Sequence, residues 1–276
     1  MEQRMKSTPP LSQKQRQKLL QTAIRAAKEA GAIQRRGLGK THSIEFKGEI
    51  NLVTEVDKAC EAKIIRILSK DFPTHDFLGE ESGTKETGSE FKWIIDPLDG
   101  TTNYAHAYPL FCVSIGLEYR GEIILGVVYE PNMDQLFTGE RGGGAKRNGK
   151  KISVSKTKIL KQSMLGTGFA YNVQTPDLKD TNVDRFTRFL MNAQAIRRDG
   201  VAAIDLCYVA WGRYDGFWEK DLYPWDTAAG LVILEEAGGK ITKFDGSPYR
   251  VYDKEILVSN GRIHDQMLEV VQWKKR

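Results

Sequence analysis

The run Trp93-Ile94-Ile95 is apolar at every position and breaks at once into Asp96-Pro97-Leu98-Asp99-Gly100. A strand without polar alternation is covered on both faces. A chain with such a strand needs further layers of structure on either side of a sheet. Pro97 withholds a backbone donor and ends regular pairing. Asp96 and Asp99 therefore stand on a turn at the end of a covered strand, where carboxylates are costly unless they have something to bind. Gly100, lacking a Cβ, lets the backbone approach a neighbour closely.

Around that strand, the first half reads as two long helices and an antiparallel meander. Residues 1–10 read as a tail. From Ser12, residues Leu19, Leu20, Ala23, Ile24, Ala27 and Ala30 recur at helical spacing until Gly37 and Gly39. A short strand is expected near 43–46. Thr54 and Asp57 form a capping box before a helix whose buried stripe is Val56, Cys60, Ile64, Ile67 and Leu68. Phe72-Pro73 stops it. A brief strand at Phe77-Leu78 ends in Gly79-Glu80-Glu81-Ser82, and the polar stretch 83–90 reads as a loop. Strands are expected over 111–118, 123–129 and 135–138, with a hairpin turn at Asn148-Gly149.

The second half alternates: strand 164–169, helix 182–193, helix 201–211, a strand at Phe217-Trp218, and helix 226–237 stopped by Gly238-Gly239. A strand at 256–258 and a last helix carrying Met267 and Val270 follow. The expectation is an α/β (α+β) chain of two tightly joined halves. Residues 11–150 hold most of the candidate metal ligands, and 151–276 carry Asp226 and the substrate side.

Composition excludes several classes. Lys+Arg 41 against Asp+Glu 36 leaves only +5, too weak a balance for a dedicated nucleic-acid binder. Three Cys without a CxxC exclude a disulfide scaffold and a Cys-based zinc site, and fit a reducing compartment. With no apolar leader or membrane-length apolar stretch in the sequence, a cytoplasmic protein is expected. There is no GxSxG and no HExxH, and Gly142-Gly143-Gly144 lacks the Lys-Ser/Thr of a phosphate-binding loop.

The remaining signal is acidic. Glu80, Asp96 and Asp99 close strands, and Asp226 begins a helix after Pro224-Trp225. Taken singly, Asp96 reads as a turn former, Asp226 as an N-cap, Asp57 as a capping residue and Glu80-Glu81 as a solvated loop. Taken together, they read as hard oxygen donors converging on one cleft, with the Leu98 carbonyl between two of them, a set suited to Mg²⁺. His106 follows the acidic turn and is a further candidate.

Gly79-Glu80-Glu81-Ser82, Trp93 through Asn103, and Trp225-Asp226-Thr227-Ala228-Ala229-Gly230, in this order, resemble the inositol monophosphatase family. Arg197-Arg198, Ala202–Leu206 and Gly212–Glu219 look like its bacterial branch. The resemblance implies a layered αβαβα sandwich of the sugar-phosphatase type. It also implies a homodimer and lithium-sensitive hydrolysis with two or three Mg²⁺ per subunit. It places Glu80, Asp96 and the Leu98 carbonyl on a first metal, and Asp96, Asp99 and Asp226 on a second. A third, weaker metal would also use Glu80.

By the same resemblance, Thr101 and Asp57 orient and deprotonate the attacking water. Gly100 and Thr101 hold the phosphate. Asp99, Ala202 and Glu219 touch substrate hydroxyls. The family commonly carries a hydroxyl residue after the Gly of its Gly-[Ser/Thr]-Ala-Ala motif; here Gly200 is followed by Val201, so a donor is lost on the sugar side. Lys47 lies where the family often has a Lys. The implied partner is a small phosphorylated polyol or sugar, first myo-inositol monophosphate. Fructose 1,6-bisphosphate, histidinol phosphate and a nucleotide phosphate stand as alternatives. A regulatory binding protein on the same fold is the alternative of another class.

Overall fold

The protein was analysed as a computed structural model, which describes residues 11–40, 44–46, 52–170 and 181–272. The first part of the chain runs α1 (Gln13–Gly37), β1 (Ile44–Phe46), β2 (Leu52–Thr54), α2 (Glu55–Asp71), β3 (Asp76–Gly79), β4 (Gly83–Lys85) and β5 (Phe91–Asp99). It continues through α3 (Thr101–Ala105), β6 (Cys112–Tyr119), β7 (Glu122–Glu130), β8 (Gln135–Glu140), β9 (Gly144–Arg147) and β10 (Lys150–Lys151). The second part holds β11 (Met164–Thr167), α4 (Asn182–Asn192), β12 (Ala195–Arg197), α5 (Ala202–Ala210) and β13 (Gly216–Lys220). It ends with α6 (Pro224–Glu236), β14 (Lys240–Thr242), β15 (Glu255–Ser259) and α7 (His264–Gln272).

Local signals set the two long helices. Ser12 and Gln15 close a capping box on α1, and Thr54 and Asp57 close one on α2. Both helices lay apolar stripes, Leu19 to Ala30 and Val56 to Leu68, on the sheet built from β5, β6 and β7. That sheet has the order β10-β9-β8-β7-β6-β5-β3-β4. It is an antiparallel meander from β5 onward, with β3 parallel to β5 at its other side. The stretch expected to be a loop at 83–90 begins with β4, which hairpins back on β3 with all its residues exposed. Its polar residues concealed a solvent-facing edge strand.

The sheet's second face is covered by α5 and α6, which also pack on the five-stranded sheet β12-β11-β13-β15-β14. Helices α4 and α7 close the outer face of that sheet. The layers are thus α1/α2, sheet, α5/α6, sheet, α4/α7, the expected αβαβα order. Residues 227–234 of α6 are all buried, as a helix with a sheet on either side requires.

The close approach of α6 depends on three glycines. Gly116, Gly126 and Gly139 lie side by side on β6, β7 and β8 through the pairs Gly116↔Gly126 and Gly126↔Gly139. A Cβ on Gly116 would meet the Ala228 Cβ at 2.7 Å, and one on Gly139 would meet the Ile233 Cα at 2.7 Å. A Cβ on Gly126 would fall on the Ala229 carbonyl oxygen. The row is a groove in which α6 lies. Among the described residues, no helix is long and apolar enough to cross a membrane.

Gly126→Ala should force the helix off the sheet. Overpacking of this kind costs roughly 1–3 kcal/mol, or a Tm lower by roughly 2–10 °C. Thermal unfolding followed by circular dichroism measures it, and an unchanged Tm would contradict the groove.

Candidate active site

The acidic turn is a bulge. Pairing between β5 and β6 runs in register to Asp96↔Ser114 and resumes one residue out of step at Asp99↔Cys112. Pro97 cannot donate to β6, so the strand buckles where its N–H is missing. The bulge turns the Asp96 and Asp99 carboxylates off the end of the sheet. The Leu98 N–H donates to Asp96 Oδ1 at 2.9 Å, which fixes the first carboxylate on its own turn. From behind, Gln34 Nε2 at the end of α1 donates to the Pro97 carbonyl at 2.8 Å.

Gly100 follows with φ 97°, the left-handed region that suits glycine. A Cβ there would stand 2.9 Å from Val201 Cγ2. Thr101 then puts its hydroxyl 3.1 Å from both Asp57 Oδ1 and the Leu98 carbonyl oxygen. The other Asp57 oxygen accepts from the Thr54 N–H at 2.8 Å and the Thr54 hydroxyl at 2.5 Å. One Asp57 oxygen thus caps α2 while the other accepts from Thr101. Burial raises its carboxyl above the ordinary range.

Glu80 leaves β3 beside the turn, its N–H donating to the Ile95 carbonyl at 3.2 Å. The loop after it is held by Glu61, a buried acid of α2 whose carboxylate accepts from the Glu81 and Ser82 N–H groups at 3.0 and 2.7 Å. Sequence reading missed Glu61, although an acid beside the buried Cys60 of the α2 stripe was a visible irregularity. Gly79 leaves room for it, since a Cβ there would run into the Glu61 carboxylate.

The second half of the chain supplies the opposite wall. Helix α6 begins at Pro224, two residues before the sequence expectation, because Pro suits the first helical position. Asp226 is thus the third residue of the helix rather than its cap, and its Oδ2 accepts the Tyr223 N–H at 2.7 Å. At the start of α5, the Ala203 N–H donates to Asp99 Oδ2 at 2.7 Å. Glu219 on β13 is buried, and Gly168 opposite it leaves no side chain in its way.

These groups line one cleft of about 470 Å³. Glu80, Asp96, Leu98, Asp99, Gly100 and Thr101 form one side; Gly200, Ala202, Glu219 and Asp226 form the other. Asp57 lies one hydrogen bond behind Thr101. Val201 faces away, with its side chain in the core against Gly100. His106 is exposed at the end of α3, outside the cleft. Lys47 lies outside the described residues. Arg198 and Lys220 line the cleft although sequence reading assigned them no role, as do Phe169 and the stacked pair Tyr223–Trp225, whose rings are 5.0 Å apart.

Electrostatics explain what the cleft needs. Burial, then Glu80, Asp99 and Asp226, push the Asp96 carboxyl far above its usual range. Burial and the Glu80 charge raise Asp99 to about 7, and burial and the Asp99 charge raise Asp226 to about 7. Glu219 is raised by burial, Asp226 and Asp99, with Arg198 opposing. Like charges crowd one space and call for positive charge among them. The donors are all oxygens, which fits a hard divalent cation and not a soft one. Among the described residues, no three His, Cys, Asp or Glu side chains close on a single point as they stand.

Comparison with known proteins agrees with the motifs. The family model described as the inositol monophosphatase family matches residues 15–275. A Synechocystis protein named inositol-1-monophosphatase is 43% identical over 272 residues, covering 96% of this chain and 94% of that one. An Aquifex aeolicus protein named fructose-1,6-bisphosphatase/inositol-1-monophosphatase is 41% identical over 259 residues, covering 92% and 96%. The solved structure of inositol monophosphatase from Anabaena superposes with a TM-score of 0.84 at 45% identity, covering 92% of this chain and 95% of that one.

The raised carboxyls carry a stability consequence. Between the unperturbed value of 3.8 and about 7, the folded metal-free protein holds more protons than the unfolded chain. Its stability therefore falls as pH rises through that window. The Tm of metal-free protein should be lower at about pH 8 than at about pH 5.5, and Mg²⁺ should restore more at the higher pH. A Tm that rises across the window, or equal Mg²⁺ effects, would contradict this account.

Proposed function

The chain belongs to the inositol monophosphatase family and is a phosphoric monoester hydrolase, and from that premise we propose that it cleaves a small phosphorylated polyol with the help of Mg²⁺. The substrate of first choice is myo-inositol monophosphate, released as inositol and phosphate. The observation that carries this reading is four acids on one cleft, Glu80, Asp96, Asp99 and Asp226, with the Thr101–Asp57 pair at its floor.

Glu80, Asp96 and the Leu98 carbonyl would hold one Mg²⁺, and Asp96, Asp99 and Asp226 a second, with Glu80 serving a third. When bound, the cations supply positive charge to the phosphoryl oxygens and acidity to water. The chain's own groups do the rest. The Thr101 hydroxyl donates to Asp57 Oδ1 and, through its own oxygen, accepts from the attacking water. The water proton thereby passes toward Asp57, whose burial keeps it basic enough to take it. Backbone N–H groups of Gly100 and Thr101, which line the cleft, would hold the phosphate. The P–O bond to the alcohol breaks, and the alcohol leaves with a proton from solvent.

Asp99 and Glu219 accept from substrate hydroxyls, with Gly200 and Ala202 beside them, which favours a polyol. Arg198 and Lys220 on the same cleft favour a second reading, in which a bisphosphate such as fructose 1,6-bisphosphate places its other phosphate there. The bifunctional name of the Aquifex relative supports it. The halves 11–150 and 151–276 would work as one unit, since each supplies ligands. The same proposal includes lithium inhibition, a homodimer and a cytoplasmic setting.

Asp96→Asn should lower kcat by on the order of 10³-fold by weakening the metal set. Thr101→Ala should lower kcat by about 10²-fold or more with KM little changed, because it removes proton transfer and not binding. Phosphate release from inositol, fructose, histidinol and nucleoside phosphates, with Mg²⁺ and with added Li⁺, checks the reading. Release from none of them would end it.

A further inference from the structure

Behind the substrate side of the cleft lies an acid that the hydrolytic mechanism leaves unused. Asp205, one turn into α5, is 1% exposed between the buried Ile204 and Leu206. Its Oδ1 has no hydrogen-bond partner. Its carboxyl meets the Asp199 side chain from the β12–α5 loop. The other ionisable groups facing it are Glu219 from β13, Asp99 from β5, Tyr214 from the turn before β13, and Cys207 of its own helix. None is a cation. Burial, followed by Asp199 and Glu219, pushes the Asp205 carboxyl far above the ordinary range. A neutral acid in this place has one proton to donate, and Asp199 is the acceptor beside it.

Asp199 is tethered from two other directions as well. The Tyr214 hydroxyl donates to its Oδ2. Asn103 Nδ2, two residues past Thr101, donates to its carbonyl at 2.9 Å and to the Leu110 carbonyl at 2.9 Å. Arg198 and Gly200, on either side of Asp199, both line the cleft, as does Ala202. Gly200 holds φ 73°, the left-handed region that favours glycine, so the backbone of the loop is specified at that point. The Asp199 carboxylate is the point from which this segment hangs.

We propose that Asp205 is a positioning residue for the reaction: its carboxyl donates a hydrogen bond to Asp199, and this acid pair, closed by Tyr214, sets the Arg198–Ala202 segment against the substrate's alcohol. The proposal rests on the phosphatase reading for its kinetic consequences and on Asp205 itself for its chemistry. The segment faces the leaving alcohol and not the phosphorus, so its loosening raises KM and leaves kcat nearly intact.

The test compares Asp205→Asn, which keeps a donor of the same size, with Asp205→Leu, which keeps bulk and removes the donor. Asp205→Asn should hold KM within about twofold. Asp205→Leu should raise KM about tenfold with kcat within about threefold. Tyr214→Phe, which leaves α5 intact, should raise KM several-fold in case Asp205→Leu does not fold. An infrared difference spectrum of wild type against Asp205→Asn should contain the carbonyl band of a protonated carboxyl at neutral pH, a readout independent of catalysis. If wild type hydrolyses no ester but the band is present, the phosphatase reading fails and the acid pair stands. If the band is absent, or if Asp205→Asn raises KM as much as Asp205→Leu, the positioning role is overturned.

Discussion

Mutual repulsion among carboxylates is the constraint around which this molecule is arranged. Asp96, Asp99, Asp226 and Glu219 each raise, or are raised by, another of the set, and burial adds to every one. Left to themselves, such groups would turn to water. Three of them are held by ties to their own backbone or to a neighbouring helix start: Asp96 to Leu98, Asp99 to Ala203, Asp226 to Tyr223. The stability invested in the layers around the cleft is what keeps an unfavourable charge distribution in place. That stored repulsion is what a bound cation would relieve.

The layers and the cleft are built from the same details. The bulge at Pro97 ends the pairing of β5 and also turns its two acids outward. The glycine row on β6, β7 and β8 allows α6 to lie deep against the sheet, and α6 delivers Asp226. Gln34 at the end of α1 reaches the back of the bulge. The α1/α2 layer, the larger sheet and α6 therefore all bear on the acids, and packing and chemistry are not separable here.

Much of this was legible in the residues. Trp93-Ile94-Ile95 announced a strand covered on both faces, and it is buried between α2 and α6. The capping box at Thr54 and Asp57 was readable because both partners lie within one turn. What was not readable involved partners distant in sequence. Glu61 serves Glu81 and Ser82 across twenty residues, and Asn103 reaches Asp199 across ninety-six. Nothing in the sequence links Gly116, Gly126 and Gly139, because only the register puts them side by side. Stretch 83–90 failed for the opposite reason: an exposed edge strand carries no apolar pattern to read.

The glycine groove also divides the cleft into a part that can change and a part that cannot. Helix α6 rests on backbone atoms, so no side-chain rearrangement can shift it without opening the sheet. The loop carrying Arg198 hangs instead from a few hydrogen bonds at Asp199. Over time, a lineage with this architecture can rewrite that loop while the layers around it stay in place. The acid on the helix must be inherited unmoved.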